Sequence, residues 1–225
     1  MVSAVTFAVL FQHPGSPLAI PSVAATPAGG LIDVWRRVPM GLAMGLTAAA
    51  IIYSPFGRRS GAHMNPAVTL AFLRLGRITT VDAFGYVTAQ FAGGVGGVAL
   101  AAALLRTLPA HPSVNYVATL PGAAGSGAAF LAEAAISALM MLVVLAMSSS
   151  PLTARWTGAA AAVLVAAFIV IEAPVSGMSM NPARTLGSAA FAGTGHLWIY
   201  FTAPTLGMLA SAECFARLTD KETTA

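Results

Sequence analysis

A ten-residue phrase occurs twice in the chain and carries the side chains best suited to chemistry. It reads SGAHMNPAVT at residues 60–69 and SGMSMNPART at residues 176–185. In each copy an Asn stands where a helix N-cap belongs. The following Pro takes the first helical position, where its missing N–H costs nothing. The capped Asn amide still has N–H groups to offer, so the phrase favours hydrogen bonding to a passing neutral molecule over a covalent reaction.

Each phrase opens a short apolar segment, at residues 66–75 and 182–191. Crossing a hydrocarbon core about 30 Å thick takes about 20 helical residues, so each segment is only half long enough to span a membrane. The sequence therefore predicts two half-helices that start at the phrases. Non-helical backbone at membrane depth is tolerated only where it lines a cavity or is buried in protein.

The composition is that of an integral membrane protein. Of 225 residues, 57% are hydrophobic and only 8% are charged, against about 25% charged in ordinary soluble domains. The single Cys214 excludes an internal disulfide, and a dispersed net charge of +4 gives no reason to expect a nucleic-acid partner. No metal site, cofactor site or catalytic constellation appears at usable spacing, so we do not expect an enzyme.

Longer apolar stretches predict membrane-spanning helices at residues 38–54, 81–105, 127–147, 156–173 and 197–218. A further stretch, residues 1–12, has the composition of a span but is too short by about eight residues, from which we expect a truncated or late-annotated start. The order of two spans, a half-span and a third span occurs twice. The chain is thus expected to form one domain, 1–225, with repeats 1–105 and 127–218, a connecting loop 106–126 and a cytoplasmic tail 219–225.

Three crossings per repeat is an odd number, so the second repeat must be inverted relative to the first. Inverted repeats with interrupted hydrophobic segments are typical of membrane transport proteins with a site near the midplane. There the positive ends of the two half-helices would meet and repel cations. Carbonyl groups of the residues just before each Asn would serve as acceptors along the path. We expect these to come from Gly61, Ala62, His63, Gly177 and Ser179.

One substitution breaks the symmetry of the two phrases, because Val68 in the first corresponds to Arg184 in the second. A charged side chain at membrane depth costs about 2.5–3.5 kcal/mol on insertion scales and needs an explanation. Arg184 either extends to the outer interface or faces the path of the solute. The uncharged residue in the matching copy favours the second interpretation.

The basic residues predict the orientation. With both termini in the cytoplasm, seven lie inside and three outside, which is the bias that membrane proteins show. The inner set is Arg58, Arg59, Arg74, Arg77, Arg155, Arg217 and Lys221, and the outer set is Arg36, Arg37 and Arg106.

The doubled Asn-Pro-Ala phrase, the half-spans and the Arg after the second phrase resemble the major intrinsic protein family, the aquaporins and glycerol facilitators. The resemblance extends through AHMNPAVTLAF, AQFAGG in the third span, Glu133 in the fourth and WIYFTAP in the last. It implies an all-α membrane fold with six transmembrane helices and two re-entrant half-helices, a pore in each subunit and a homotetramer. The implied partners are water, small uncharged solutes and the lipid bilayer of the plasma (inner) membrane.

Site residues follow from the same resemblance, position by position. It implies that Arg184, Met44, Ile169 and Met178 form the selectivity constriction, with Gly45 as the alternative to Met44, and that Glu133 braces a re-entrant loop. In the first span the corresponding brace position holds Val2 rather than Glu. The two pore motifs would be Asn65, Pro66, Ala67 and Asn181, Pro182, Ala183.

The implied constriction is apolar with one arginine, as in plant nodulin-type members of the family. Thr185 and Ala189 lie where glycerol facilitators usually have Asp and a basic residue, and the last span has Tyr200 and Phe201. These positions favour water, with glycerol or urea left open. The leading hypothesis is a passive channel that excludes protons and ions. The alternative is an ion-coupled secondary transporter, which would need carboxylates in its spans, where the sequence analysis identifies only Glu133.

Overall fold

The fold was obtained as a computed structural model, which describes residues 1–20, 31–193 and 195–223. These residues form helices, 3-10 turns and loops without a strand, so the predicted all-α fold is confirmed. The α-helices, in chain order, are α1 Val2–Gln12, α2 Leu31–Tyr53, α3 Pro55–Ser60, α4 Pro66–Arg74, α5 Thr80–Leu105, α6 Gly125–Ser148, α7 Thr157–Ile171, α8 Ala173–Ser176, α9 Pro182–Ala192 and α10 Leu197–Thr223.

The predicted spans correspond to helices, but α10 continues five residues beyond residue 218, to Thr223, and α2 differs at its start. This helix begins at Leu31 rather than at residue 38, and it contains Pro39. Arg36 and Arg37 lie within the helix, although the predicted span begins after them. Long charged side chains near the end of a helix can reach the membrane interface. Arg37 uses its Nε–H to donate to the carbonyl of Val170, 2.7 Å away at the end of α7.

Three stretches in the described part of the chain are long and apolar enough to cross a membrane by length and composition alone, namely Thr80–Leu105, Gly125–Ser148 and Ala154–Ile171. They correspond to three of the predicted spans. Residues 219–223 of the predicted tail, 219–225, continue helix α10, and the side chain of Lys221 lies outside the description.

Two short helices precede the repeated phrases and were not predicted. Ser54 caps the start of helix α3, with its Oγ accepting from the N–H of Gly57 at 3.0 Å, and Gly61 caps its end with φ +66°. Helix α8 ends in the same way at Gly177, with φ +83°. Glycine adopts these left-handed angles without a steric penalty. The shared Gly of the two phrases therefore ends one helix before the Asn starts the next.

Helix packing is reciprocal between the two halves. Helix α4 packs against α10, and its counterpart α9 packs against α5; likewise α1 contacts α5 and α6 contacts α10. Helices α2 and α7 pack against each other. Such exchange of partners is what an inverted duplication would give.

Glycines allow two of these close approaches. A Cβ on Gly45 would lie 2.7 Å from the carbonyl oxygen of Ala162, and one on Gly94 would lie 2.4 Å from that of Ala183. Real Cβ atoms do not come so close to a rigid backbone atom, so α2 and α5 contact their partners through bare backbone. The GGVGG stretch of α5 thus provides close packing at Gly94, whereas Gly96 has open space around it.

We expect Gly94→Ala to lower the thermal stability of the purified protein, because the added methyl group forces α5 away from α9. Overpacking of this kind costs about 1–3 kcal/mol. Gly96→Ala is the matched control, since it adds the same atom to the same helix where no heavy atom lies within 4 Å. Thermal unfolding in detergent measures both. Equal transition temperatures for the two variants would contradict the packing account.

Candidate functional site

The two Asn side chains start the two half-helices as the sequence predicts. The Oδ1 atom of Asn65 accepts from the N–H of Ala67 at 2.9 Å. The Oδ1 atom of Asn181 accepts from the N–H groups of Ala183 at 3.0 Å and Arg184 at 3.2 Å. Pro66 and Pro182 occupy the first helical positions. Each amide oxygen is thereby committed to its own helix, which fixes the direction of the amide N–H groups.

Those amide nitrogens join the two halves of the molecule. Asn65 donates through Nδ2 to the carbonyl of Met180 at 2.6 Å, and Asn181 donates through Nδ2 to the carbonyl of Met64 at 2.9 Å. Each Asn therefore binds the residue that precedes the other Asn. An amide nitrogen carries two N–H groups, so one donor on each Asn is left for a molecule between the half-helices.

Glu133 holds the loop that leads to Asn181. Its side chain is fully buried in α6. One carboxylate oxygen accepts from the Oγ of Ser176 at 2.7 Å and the N–H of Ser179 at 2.6 Å, and the other accepts from the N–H of Met180 at 2.7 Å. Three donors to one carboxylate compensate for much of the cost of burying it. These contacts connect α6 to the loop that, on the family resemblance, Glu133 would brace.

The loop that leads to Asn65 is held from α5 instead. Gln90 donates through Nε2 to the carbonyl of His63 at 2.7 Å and to the Oγ1 of Thr69 at 2.9 Å. The His63 ring stacks on Tyr86, with 4.8 Å between centroids, and its Nδ1 lies 3.1 Å from the Oγ1 of Thr69. His63 is thus fixed by its surroundings, and its carbonyl, predicted to face a solute, is already bound to Gln90. Sequence reasoning missed Gln90, although AQFAGG contains it.

Left-handed backbone in both loops turns successive carbonyls in different directions. The φ angles of Ala62, Met178 and Met180 are +53°, +49° and +53°. This conformation costs a residue with a Cβ about 1–2 kcal/mol. It persists only where the surroundings over-determine it, and here the buried Glu133 carboxylate binds the N–H of Met180.

A cavity of about 1360 Å³ passes the two Asn side chains. On α2 its lining runs from Arg36 to Tyr53, a distance of about 26 Å along a helix that rises about 1.5 Å per residue. The cavity therefore follows α2 for most of a membrane's thickness. All four residues of the predicted constriction line it, namely Met44, Ile169, Met178 and Arg184. Gly45, the alternative to Met44, instead packs against the backbone of α7.

The rest of the wall consists of apolar stripes that sequence reasoning did not identify. Each stripe repeats every four residues along one helix, which puts its members on one face. They are Met40, Met44 and Ala48 on α2, Val68 and Phe72 on α4, Met140 and Val144 on α6, and Ala161, Val165 and Ile169 on α7. The sequence has this spacing, but lipid-facing residues of the same helices are equally apolar, so the sequence alone does not distinguish the face that lines the cavity.

The charged residues on the cavity are all basic. Arg184 stands in the first turn of α9, and its Nη1 has no hydrogen-bond partner in the described part of the chain. Arg36 and Arg37 line the cavity toward one end of α2, and Arg58 and Arg155 line it toward the other. Among the described lining residues there is no Asp or Glu. A cation would therefore meet arginines toward either end of this cavity, and Arg184 and two helix N-termini between them.

Glu172, which follows the last residue of α7, is a second buried carboxylate in the predicted spans. It is 8% exposed and is not among the residues that line the cavity. The predicted spans therefore contain four carboxylates, Asp82, Glu133, Glu172 and Glu213, rather than Glu133 alone. The described residues contain no group of three or more His, Cys, Asp or Glu that could hold a metal ion.

The sequence is similar to those of known bacterial and plant proteins. The chain is 37% identical over 179 residues to the glycerol uptake facilitator protein-like 6 of Lactiplantibacillus plantarum, covering 78% of this chain and 82% of that protein. It is 38% identical over 183 residues to aquaporin NIP1-3 of Oryza sativa subsp. japonica, covering 79% of this chain and 61% of that protein. The matched region thus spans about three-fifths of this longer plant relative.

The fold also matches that of a solved protein. The aquaglyceroporin from Plasmodium falciparum superposes with a TM-score of 0.71 at 16% identity, covering 95% of this chain and 89% of that one. At this sequence identity the match is evidence for the fold alone. The family model described as "Major intrinsic protein" matches residues 4–215. With the paired half-helices, the Asn residues that bind across them and a model match over nearly the whole length, the chain belongs to the major intrinsic protein family.

Proposed function

We propose that the protein is a passive channel for water and small neutral solutes such as glycerol or urea, and that the cavity along α2 is its pore. The observation that carries the proposal is the pair of Asn side chains. Each caps its own half-helix, binds the opposite loop and keeps one N–H in a cavity that both residues line. The names of the bacterial and plant relatives support the same kind of cargo.

The proposed pore works by replacing some hydrogen bonds that a solute loses on leaving water. Donors at Asn65 and Asn181 act at the point where the half-helices meet, while the apolar stripes on either side bind nothing tightly. Weak, spaced contacts of this kind allow entry without trapping the solute. The two helix N-termini make the same point unfavourable for protons and other cations.

We further propose that Met44, Ile169, Met178 and Arg184 select the solute. Three apolar side chains and one guanidinium form a ring that offers charge-assisted donors on one side only. A methionine side chain has three rotatable bonds and can vacate space. Such a ring suits water and allows a molecule the size of glycerol to pass when Met44 and Met178 swing aside.

The chain is an integral multi-pass membrane protein. We propose that it lies in the plasma (inner) membrane. We also propose that both termini are in the cytoplasm, because this orientation puts most of the basic residues inside. The repeats 1–105 and 127–218 would then be inverted relative to each other, as their reciprocal packing favours. We propose a homotetramer with one pore per subunit, as in the family.

An ion-coupled transporter is disfavoured by the positions of the buried carboxylates. Glu133 has its oxygens bound to three donors of the loop before Asn181. Glu172 does not line the cavity. Neither carboxylate is placed to bind a coupling ion from the pore.

The deciding experiment measures osmotic shrinkage of proteoliposomes by light scattering, with an impermeant solute, glycerol or urea outside and a pH-sensitive dye inside. We expect water flux well above that of empty liposomes, slower solute flux and no proton leak. Water flux equal to that of empty liposomes would overturn the channel. A proton leak would overturn cation exclusion by the half-helices.

Substitution of Met178 tests the constriction. We expect Met178→Ala to raise glycerol and urea flux relative to water flux by about threefold or more, because a flexible side chain no longer has to move aside. The matched control is Met147→Ala on α6, since Met147 is not among the described residues that line the cavity. An unchanged flux ratio in Met178→Ala would remove this residue from the constriction.

A further inference from the structure

Glu172 stands out as a buried carboxyl group without a hydrogen bond. It is 8% exposed, and neither of its oxygens has a partner in the described part of the chain. It begins the turn α8, whose other end leads directly to Gly177 and Met178. The group lies behind the constriction rather than in it, since the cavity lining includes Met178 but not Glu172.

Ser176 connects Glu172 with the constriction. The two residues are four apart on one helical turn, so their side chains share a face. The Ser176 hydroxyl donates its hydrogen to Glu133 at 2.7 Å and accepts from the N–H of Met178 at 3.1 Å. Its carbonyl accepts from the hydroxyl of Tyr200 at 2.6 Å. Ser176 thus anchors the backbone of Met178, and its single hydroxyl hydrogen is used by one of two neighbouring carboxyl groups.

The described arrangement suits a neutral Glu172. An unpaired buried carboxylate is costly, and a second carboxylate nearby adds to the cost. Around Glu172 the titratable groups are Glu133 from α6 and Tyr200 from α10. Arg184 from α9 interacts with these two neighbours, and Arg37 from α2 donates to the carbonyl of Val170, two residues before Glu172. If Glu172 loses its proton, it needs a donor, and the Ser176 hydroxyl lies on its own helical face.

We propose that Glu172 is a positioning residue of the selectivity constriction and that its protonation state sets the position of Met178 through Ser176. With the proton bound, Ser176 donates to Glu133 and the loop keeps the described geometry. With the proton lost, Glu172 competes for the Ser176 hydrogen, and the anchor of Met178 loosens. The Met178 side chain then occupies more of the cavity that it now lines, which obstructs glycerol before it obstructs water. The inference rests on the proposed channel function.

The test measures glycerol and water flux of proteoliposomes at several pH values between about pH 5.5 and about pH 8.5, the range in which a perturbed carboxyl titrates. In the wild-type protein we expect the glycerol-to-water flux ratio to fall by about threefold as the pH rises. Glu172→Gln keeps the size of the side chain but cannot ionise, so its ratio should stay at the acid value throughout. A purely structural role for Glu172 would not give this difference in pH profile.

Two further variants complete the test. His111→Gln removes a titratable group of the connecting segment whose ring contacts Ser113 and His13, and it should keep the wild-type profile. Glu172→Asp keeps an ionisable group in a changed position and should move the midpoint of the transition, which also decides the matter if Glu172→Gln does not fold. A wild-type ratio independent of pH, a transition that survives in Glu172→Gln or an unmoved midpoint in Glu172→Asp would each overturn the proposal. Loss of water flux at every pH would instead contradict the channel itself.

Discussion

Alanine in place of Glu133 is expected to abolish channel activity and to destabilise the protein by several kcal/mol. The substitution removes the acceptor of three buried donors, the Ser176 hydroxyl and the N–H groups of Ser179 and Met180. A buried donor left without a partner costs about 1–3 kcal/mol. Met178 and Met180 also have left-handed backbone, and without the carboxylate the loop is free to relax from it.

The consequence for conduction follows from what the loop holds. The carbonyl of Met180 is the acceptor for Asn65, so a relaxed loop breaks one of the two bonds that join the half-helices. Thermal unfolding in detergent and water flux in proteoliposomes measure the two effects separately. We expect a fall in the unfolding temperature and a water flux close to that of empty liposomes.

A matched control exists on the surface. Glu213 on α10 pairs with Arg74 and Arg217, and its side chain is 34% exposed. Exposed ion pairs contribute at most about 1 kcal/mol, so Glu213→Ala should leave both stability and water flux nearly unchanged. If Glu133→Ala behaved like Glu213→Ala, the loop would be held by something other than this carboxylate.

The elements that could be predicted are those whose signals are local. The Asn-Pro pairs start α4 at Pro66 and α9 at Pro182 because capping and the absence of a proline N–H act within one turn. The long helices follow from length and hydropathy. The resemblance implied that Glu133 braces a re-entrant loop. This role is physically reasonable, since a carboxylate in an apolar span needs partners and loop N–H groups are available.

What could not be predicted depends on contacts between distant segments. Gln90 takes over the loop before Asn65 only because α5 brings it to the carbonyl of His63. Sequence alone left Met44 and Gly45 as alternatives, and the close approach of α2 to α7 determines which one borders the cavity. The burial of Glu172 is likewise a property of packing, because the same letter at a helix end is usually solvated.

Valine in place of Arg184 is expected to raise glycerol and urea flux relative to water by about tenfold. Val is the residue at the matching position of the first repeat, Val68, so the substitution makes the two phrases alike where they differ in charge. It removes the guanidinium from a constriction whose other members are apolar. The shorter Val side chain leaves more room for the larger solutes, and a barrier lower by about 1.4 kcal/mol corresponds to about tenfold in rate.

A second variant separates the size of Arg184 from its charge. Arg184→Lys keeps the positive charge but loses the planar fork of donors. If the charge excludes cations, Arg184→Lys should remain tight to protons while Arg184→Val leaks, measured with the internal pH dye. If the half-helix N-termini alone suffice, both variants should remain tight and differ only in solute flux.

Unchanged glycerol and urea rates in Arg184→Val would mean that the guanidinium extends to the outer interface rather than into the solute path. The geometry argues against that outcome. Arg184 lines the cavity together with Met178, and its Nη1 is buried without a partner in the described part of the chain. A guanidinium that reached the interface would have water around each nitrogen. We therefore expect that Arg184, the charged residue by which the second phrase differs from the first, selects the solute.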